Sequence, residues 1–177
     1  EYVYGHDAYL KDVKSNHYNV LSRAHIDDLG YRSISPMDSM YTYGTTVYDK
    51  GADALHTLRT YMGDQAFFDH LRSFLSSHAF QAVNSTQLRD YLVAQSGIDL
   101  THFFNNWIFA PGFTHFSIDS MHTIPNGSDT EVQVFLRQRK HHSTDYYEKV
   151  PLELAFYESN MNKHVYRLEF SGRCMQF

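Results

Sequence analysis

Residues 46–64 read TVYDKGADALHTLRTYMGD, with apolar or small side chains every three or four positions. This spacing puts one set of positions on a single face of a helix: Val47, Gly51, Leu55, Leu58 and Met62. A glycine directly after such a face, here Gly63, can end the helix in a left-handed conformation. The stretch therefore predicts a helix that packs one face against a core.

The helical spacing continues on both sides of this stretch, to about residue 112. Residues 27–44 are rich in Gly, Ser and Tyr and predict a long loop, which in a compact domain is more often functional than idle. Asp64 is expected to cap the following helix, and Asn84 or Ser85 the next one. The apolar positions of these later helices are predicted to form core: Phe67, Phe68, Leu71, Phe74, Leu75, Phe103, Phe104, Trp107 and Ile108.

After Pro111 and Gly112 the apolar period changes to two, as in Val132, Val134 and Leu136. Alternation of this kind is typical of antiparallel strands, and turn residues near 125–127 and 159–160 separate them. We expect a meander of about four strands. The predicted fold class is α+β, with an all-helical part at residues 1–112 and an incomplete antiparallel sheet or sandwich at residues 113–177.

Composition excludes several classes of partner. The 177 residues carry a formal net charge of -5 and no long basic run, which argues against nucleic acid. The single cysteine, Cys174, cannot form an internal disulfide. Apolar runs fall short of the roughly 18 residues that a membrane helix needs, so no membrane segment is expected in this chain. Localisation stays open.

The twelve histidines do not have the spacing of a helical zinc site. Such a site needs two His four residues apart, with a Glu next to the first. The pair His141 and His142 lies in a polar stretch and is predicted to be solvated surface. No metal site, phosphate-binding loop or nucleophile motif is predicted, and Cys174 has no partner placed by a motif. The residues alone support a helical domain joined to a β domain.

One ordered series of residues does point to a family. Tyr48, Asp49, Lys50 and Gly51 form a Y-x-K-G motif, and positions at fixed distances follow it as far as Gly112: Leu55, Leu58, Arg59, Gly63, Asp64, Phe67, Phe68, Phe103, Phe104, Trp107 and Pro111. This order resembles the gluzincin, or aminopeptidase N-like, zinc aminopeptidases. The match is close over residues 48–112 and looser over the β segment.

The resemblance implies a thermolysin-like catalytic domain followed by a β-sandwich domain. Residues 1–112 would be the helical C-terminal half of the catalytic domain, and residues 113–177 an incomplete β domain. The family removes N-terminal residues from peptides with zinc-activated water, and its zinc ligands would lie upstream of Glu1. The isolated chain is then expected to hold no zinc and to be inactive, while a longer protein would bind zinc and a peptide substrate.

Two tyrosines are the candidate site residues, one supplied by the resemblance and the other by its place in the predicted loop. Tyr48 matches the family's catalytic tyrosine, whose phenol stabilises the tetrahedral intermediate. Tyr43, five residues earlier, is expected to line the substrate pocket. Lys50 and Gly51 are expected to be structural, with Gly51 permitting close helix packing.

Two other functions stay open: a non-catalytic peptidase-like scaffold, and a protein-interaction module that never had a peptidase half. If the chain is a severed piece of a longer protein, its helical layer and its unfinished sheet would expose apolar surface. Self-association of the chain is therefore expected.

Overall fold

The computed structural model describes residues 3–127 and 129–177. The chain divides into two compact units, one ending at Gly112 and the other beginning at Phe113. The first contains helices and the second antiparallel strands, which confirms the predicted α+β class.

The helical unit has its elements in this order: α1 (His6–Ser22), α2 (Ala24–Asp27), α3 (Gly51–Met62), α4 (Asp64–Ser77), α5 (Ser85–Ser96) and α6 (Thr101–Phe103). A single 3-10 turn occupies Ser39–Tyr41 within the predicted loop. Two wider π-helical turns lie at Thr46–Lys50 and Phe104–Phe109.

The core of this unit joins α3, α4 and α5 to the segment that begins with α6. Its buried members are Ala54, Leu58, Met62, Phe67, Leu92, Leu100, Phe103 and Phe104, and Leu71, Trp107 and Ile108 pack against them half-buried. Phe74 is buried as well, but Phe68 and Leu75 are exposed, so the predicted stripe is only partly core. A helix buries about one face, and α4 turns Phe68 and Leu75 away from it.

The expected cap at Asp64 is wrong. Gly63, with φ 77°, is the capping residue of α4, and no side-chain hydrogen bond closes that end. Asp64 instead accepts two hydrogen bonds of 2.7 Å from Arg59, one on each carboxylate oxygen. The carboxylate is therefore used to join α3 to the start of α4.

The β unit contains strands β1 (Phe113–Asn126), β2 (Asp129–His141), β3 (Val150–Tyr157), β4 (Lys163–Phe170) and β5 (Cys174–Gln176). In the long β1–β2 hairpin, Phe113 lies opposite His141 and Asn126 opposite Asp129. In the β3–β4 hairpin, Val150 lies opposite Phe170 and Tyr157 opposite Lys163.

The connection of the strands differs from the predicted meander. β5 pairs with β2 and not with β4, giving a three-stranded sheet in the order β1-β2-β5 beside the two-stranded β3–β4 sheet. The buried Gln138 of β2 supports this arrangement. Its amide nitrogen donates to Tyr147 O at 3.0 Å and Gly172 O at 2.9 Å, before β3 and β5 respectively. No periodicity in the sequence predicts hydrogen bonds of this kind between residues 9 and 34 positions apart, so the pairing of β5 could not be predicted.

Among the residues that the structure describes, none of the helices combines the length and apolar character needed to cross a bilayer.

Candidate active-site turn

Tyr48 lies in the π-helical turn Thr46–Lys50, which we call the tyrosine turn. The sequence pattern predicts one continuous helix here, whereas the structure begins α3 only at Gly51. A π turn contains an extra residue, so it changes the direction of the side chains that precede the regular helix, and such turns are frequent at functional sites. Tyr48 is 59% exposed, and within the described residues its phenol makes no hydrogen bond.

The N-terminal end of the tyrosine turn is held by a buried carboxylate. Asp28 is only 1% exposed, and its Oδ2 accepts a hydrogen bond of 2.7 Å from the Thr46 backbone N–H. Gly44 passes so close that a Cβ there would lie 2.0 Å from Asp28 Oδ1. Next to it, the Thr45 hydroxyl donates to Asp27 Oδ2 at 3.0 Å. These contacts fix the entry to the turn.

The C-terminal end is held by a buried ammonium group. Lys50 is 6% exposed, and its Nζ donates to the backbone oxygens of Arg32 at 3.2 Å and Ala110 at 3.1 Å. Burial lowers the pKa of Lys50 to about 8, since desolvation disfavours the charged form. The turn is thus joined to the loop after α2 and to the end of the helical unit.

Arg32 connects the two ends of this arrangement. Its Nε donates to the backbone oxygen of Asp28 at 2.6 Å, while its own backbone oxygen accepts from Lys50. The guanidinium lies 3.7 Å from the centre of the Tyr41 ring, a cation–π contact. Arg32 therefore helps to order the loop against which the tyrosine turn packs.

Tyr43 and Tyr48 belong to the same segment, but the structure does not bring their rings into contact within the described part of the chain. Tyr43 is 86% exposed. The expected packing role of Gly51 is wrong, because a Cβ added there would meet no atom within 4 Å.

Nothing in the described ranges, 3–127 and 129–177, groups three or more His, Cys, Asp or Glu side chains as a metal ion requires. Two His–carboxylate pairs do occur among the described residues: His17 Nδ1 lies 3.3 Å from Asp53 Oδ2, and His164 Nε2 lies 2.7 Å from Glu158 Oε1. Burial raises the pKa of Asp53 to about 6, although the neighbouring His17 lowers it. Two side chains do not make a catalytic zinc site, which takes three protein ligands. The residues described here do not fit zinc.

A separate open cleft of about 1020 Å³ lies between α1, α3 and α4. Tyr9, His56, Arg59 and Phe68 help to line it, and Tyr48 does not. Its polar groups are already engaged: the Tyr9 hydroxyl and His56 Nδ1 are 2.6 Å apart, and Arg59 binds Asp64. Because Tyr48 does not line this cleft, the cleft is separate from the candidate site.

The model of the Peptidase family M1 domain matches residues 8–107, more than half of the chain. The chain belongs to peptidase family M1. The resemblance to aminopeptidase N-like enzymes is thereby confirmed. Asp28, Arg32, Tyr43, Tyr48 and Lys50 all fall inside the matched M1 region.

Relatives of this M1 chain are named as aminopeptidases. Aminopeptidase N of Lactococcus lactis subsp. lactis is 33% identical over 67 residues, which are 38% of this chain and 8% of the relative. Aminopeptidase N of Escherichia coli (strain K12) is 25% identical over 120 residues, which are 68% of this chain and 13% of the relative. The M1 chain thus spans only a small part of the length of these curated relatives.

The crystal structure of Legionella pneumophila aminopeptidase A in complex with aspartic acid has a related fold. It superposes with a TM-score of 0.59 at 14% identity, covering 95% of the M1 chain and 20% of that chain. At this identity the match shows the fold alone, and it agrees with the α+β class.

Sequence reasoning found Tyr48 through the Y-x-K-G motif but missed the residues that hold its turn. Asp28 and Arg32 both lie in the predicted loop, residues 27–44, with no spacing that connects them to residue 48. Lys50 is part of the motif, but the sequence does not show that its side chain is almost fully buried and holds the turn.

Proposed function

We propose that the protein containing this chain is a zinc-dependent aminopeptidase that removes N-terminal residues from peptides, with Tyr48 stabilising the tetrahedral intermediate. The observation that carries the proposal is the exposed, uncommitted phenol of Tyr48 on a turn held at both ends, in a chain of peptidase family M1. Membership of the family supports the class of reaction, and the geometry of the tyrosine turn supports the role of Tyr48 in it.

The chemistry suits a phenol. When water attacks a scissile carbonyl, negative charge develops on the carbonyl oxygen, and a donor already aimed at that oxygen lowers the barrier. The phenol O–H of a tyrosine can donate a hydrogen bond to that oxygen. Because the tyrosine turn is fixed by buried contacts, little reorganisation is needed when the charge appears.

Zinc has to be held by residues other than those described here, since these do not form its site. In such enzymes the metal supplies activated water. We propose that the 177-residue chain alone carries no stoichiometric zinc and does not hydrolyse amino-acid amides. Elemental analysis after dialysis and a chromogenic amide assay test this: one zinc per chain together with hydrolysis would contradict it.

The remaining assignments are proposals on the same basis. The helical unit would be the second half of the catalytic domain, and the β unit an incomplete β-sandwich domain. Tyr43, exposed in the loop before the tyrosine turn, would line the substrate pocket.

The decisive experiment is Tyr48→Phe in the longer enzyme. Loss of one oxyanion donor is expected to lower kcat by about 10² to 10³ and to leave KM and zinc content nearly unchanged. In the same assay, Tyr43→Ala is the comparison: a pocket residue should chiefly raise KM. A Tyr48→Phe enzyme within a few-fold of wild-type kcat would remove Tyr48 from the mechanism, and an intact protein without any peptidase activity would favour a scaffold role.

A further inference from the structure

Two buried charged side chains of opposite sign hold the ends of the tyrosine turn. Asp28 accepts a hydrogen bond from the Thr46 backbone N–H, and Lys50 donates hydrogen bonds to the backbone oxygens of Arg32 and Ala110. Both side chains are almost fully buried, and within the described residues they form no ion pair with each other. Each of the two side chains therefore hydrogen-bonds backbone groups around residue 48.

Buried charges are costly, so their presence needs a reason. Removing an ionised group from water is unfavourable unless hydrogen bonds replace the lost hydration. If packing were the only requirement, an apolar residue of similar volume at either position would give a more favourable free energy of folding. A carboxylate and an ammonium group form directional hydrogen bonds, which an apolar residue cannot. The Asp28 carboxylate accepts from a backbone N–H of the turn, and the Lys50 ammonium donates to backbone oxygens of neighbouring segments.

Lys50 itself is not placed to act on a substrate. Its pKa of about 8 would suit a general base, but its ammonium is buried and already donates to two carbonyl oxygens. A base must reach the proton that it removes. The exposed group two residues away is the Tyr48 phenol, which is the group that Lys50 can influence through the backbone.

We infer that Lys50 and Asp28 are positioning residues that together set the direction of the Tyr48 phenol by holding the tyrosine turn at its two ends. The inference rests on the proposed function, because it assigns these residues to the same reaction. Arg32 belongs to the arrangement as the residue that joins them: it donates to Asp28 O and accepts from Lys50.

A double-mutant cycle in the longer enzyme tests the inference through kcat. Lys50→Met keeps the aliphatic stem and removes the ammonium, and it is expected to lower kcat about tenfold with KM changed by less than about twofold. If Lys50 acts through Tyr48, adding Lys50→Met to Tyr48→Phe should cost at most about twofold more, since the group being positioned is already gone. A further loss of about tenfold in the Tyr48→Phe background would overturn the inference.

Asp28 gives an independent second variant should Lys50→Met fold poorly. Asp28→Asn retains an oxygen that can accept from Thr46 N–H and is expected to keep kcat within about threefold, whereas Asp28→Ala should lose about tenfold. Equal activity of the Asn and Ala variants would count against the inference.

Hydrogen exchange supplies a readout that does not depend on activity. Lys50→Met is expected to speed exchange of the amides in residues 46–50 by about tenfold, because the turn opens more often. Val93→Ala, which removes the two γ-methyl groups of a half-buried side chain packed against the helical core, is the matched control for general loss of stability. It should leave both kcat and this local exchange unchanged. Exchange that rises equally in both variants would overturn the inference.

The outcomes separate the two proposals. If Tyr48→Phe keeps wild-type kcat, the proposed catalytic role fails, and the inference that depends on it fails with it. If Tyr48→Phe loses activity while Lys50→Met changes neither kcat nor exchange, the proposed function stands and the inference alone is wrong.

Discussion

The contact between Gly44 and Asp28 has a direct consequence for a single substitution. A methyl group at residue 44 would lie 2.0 Å from Asp28 Oδ1, closer than atoms can approach. Because Asp28 is buried and bound to Thr46 N–H, it cannot move without releasing the tyrosine turn.

Gly44→Ala is therefore expected to lower the free energy of unfolding by roughly 1–3 kcal/mol, the usual cost of overpacking. Urea denaturation measures it. Gly51→Ala is the matched control, because residue 51 has helical dihedrals and open space for a Cβ. That variant should be neutral or more stable by up to about 1 kcal/mol. Equal midpoints for the two variants would contradict the close approach at Gly44.

Asp53 predicts a pH dependence of stability. Its pKa is raised to about 6 by burial in the folded chain, against about 4 for an unperturbed Asp. The folded state holds this proton more tightly than the unfolded state. The contribution of the carboxyl group to stability is therefore complete below about pH 4 and is lost as the pH rises through about 6.

We expect the stability of wild type relative to Asp53→Asn to decrease across this window, measured as the difference between their urea midpoints from pH 4 to pH 7. His17 favours the ionised carboxylate, so His17→Gln should move the decrease to higher pH. A difference that stays constant with pH would show that Asp53 titrates normally.

Among the elements, α5 shows how a local pattern sets a helix end. Asn84 Oδ1 accepts from Gln87 N, and Gln87 Oε1 accepts from Asn84 N, both at 2.9 Å. This reciprocal pair is a capping box, and it satisfies two backbone donors that the first helical turn leaves free. Of the two caps that the sequence allowed, Asn84 is the one used.

Asn84→Ala is expected to destabilise the helical unit by about 1 kcal/mol, within the 0.5–2 range typical of a lost cap. Thermal unfolding followed by circular dichroism at 222 nm reports the change. Asn84→Ser keeps an oxygen that can accept from Gln87 N–H and should stay near wild type. If Ala and Ser behave alike, the capping box contributes little.

For the molecule as a whole, exposed apolar side chains are numerous in both units. They include Ile26, Leu29, Met40, Leu75 and Phe80 among the helices and Ile118, Met121 and Val165 in the sheets. The two-stranded β3–β4 sheet also has strand edges that another strand could pair with. Surfaces of this kind tend to be covered by another chain.

Self-association of the 177-residue chain is accordingly expected. Light scattering across a concentration series, with a top concentration on the order of 100 µM, should show a mass that rises with concentration. Leu29→Glu or Leu75→Glu should reduce the rise if the helical face is responsible. Strictly monomeric behaviour across the series would contradict the expectation.

The sequence by itself determined what depends on near neighbours along the chain. The three- and four-residue spacing in residues 46–64 and the period of two after Gly112 were enough for the α+β class, because helices and strands bury faces with those periods. The fixed order from Tyr48 to Gly112 was enough for the family. The sequence limited the cap of α5 to Asn84 or Ser85, because a capping contact joins residues only three positions apart.

Only the tertiary structure decided which long-range contacts those elements make. It placed a π turn where the pattern predicts a continuous helix, paired β5 with β2, left Phe68 and Leu75 exposed, and removed the packing role of Gly51. It also brought Asp28 to residue 46 and Lys50 to Ala110, across 18 and 60 positions. Such contacts depend on how whole elements dock, and the energy that drives docking, burial of apolar surface, is not directional. The residues that hold the tyrosine turn therefore become visible only in the folded chain.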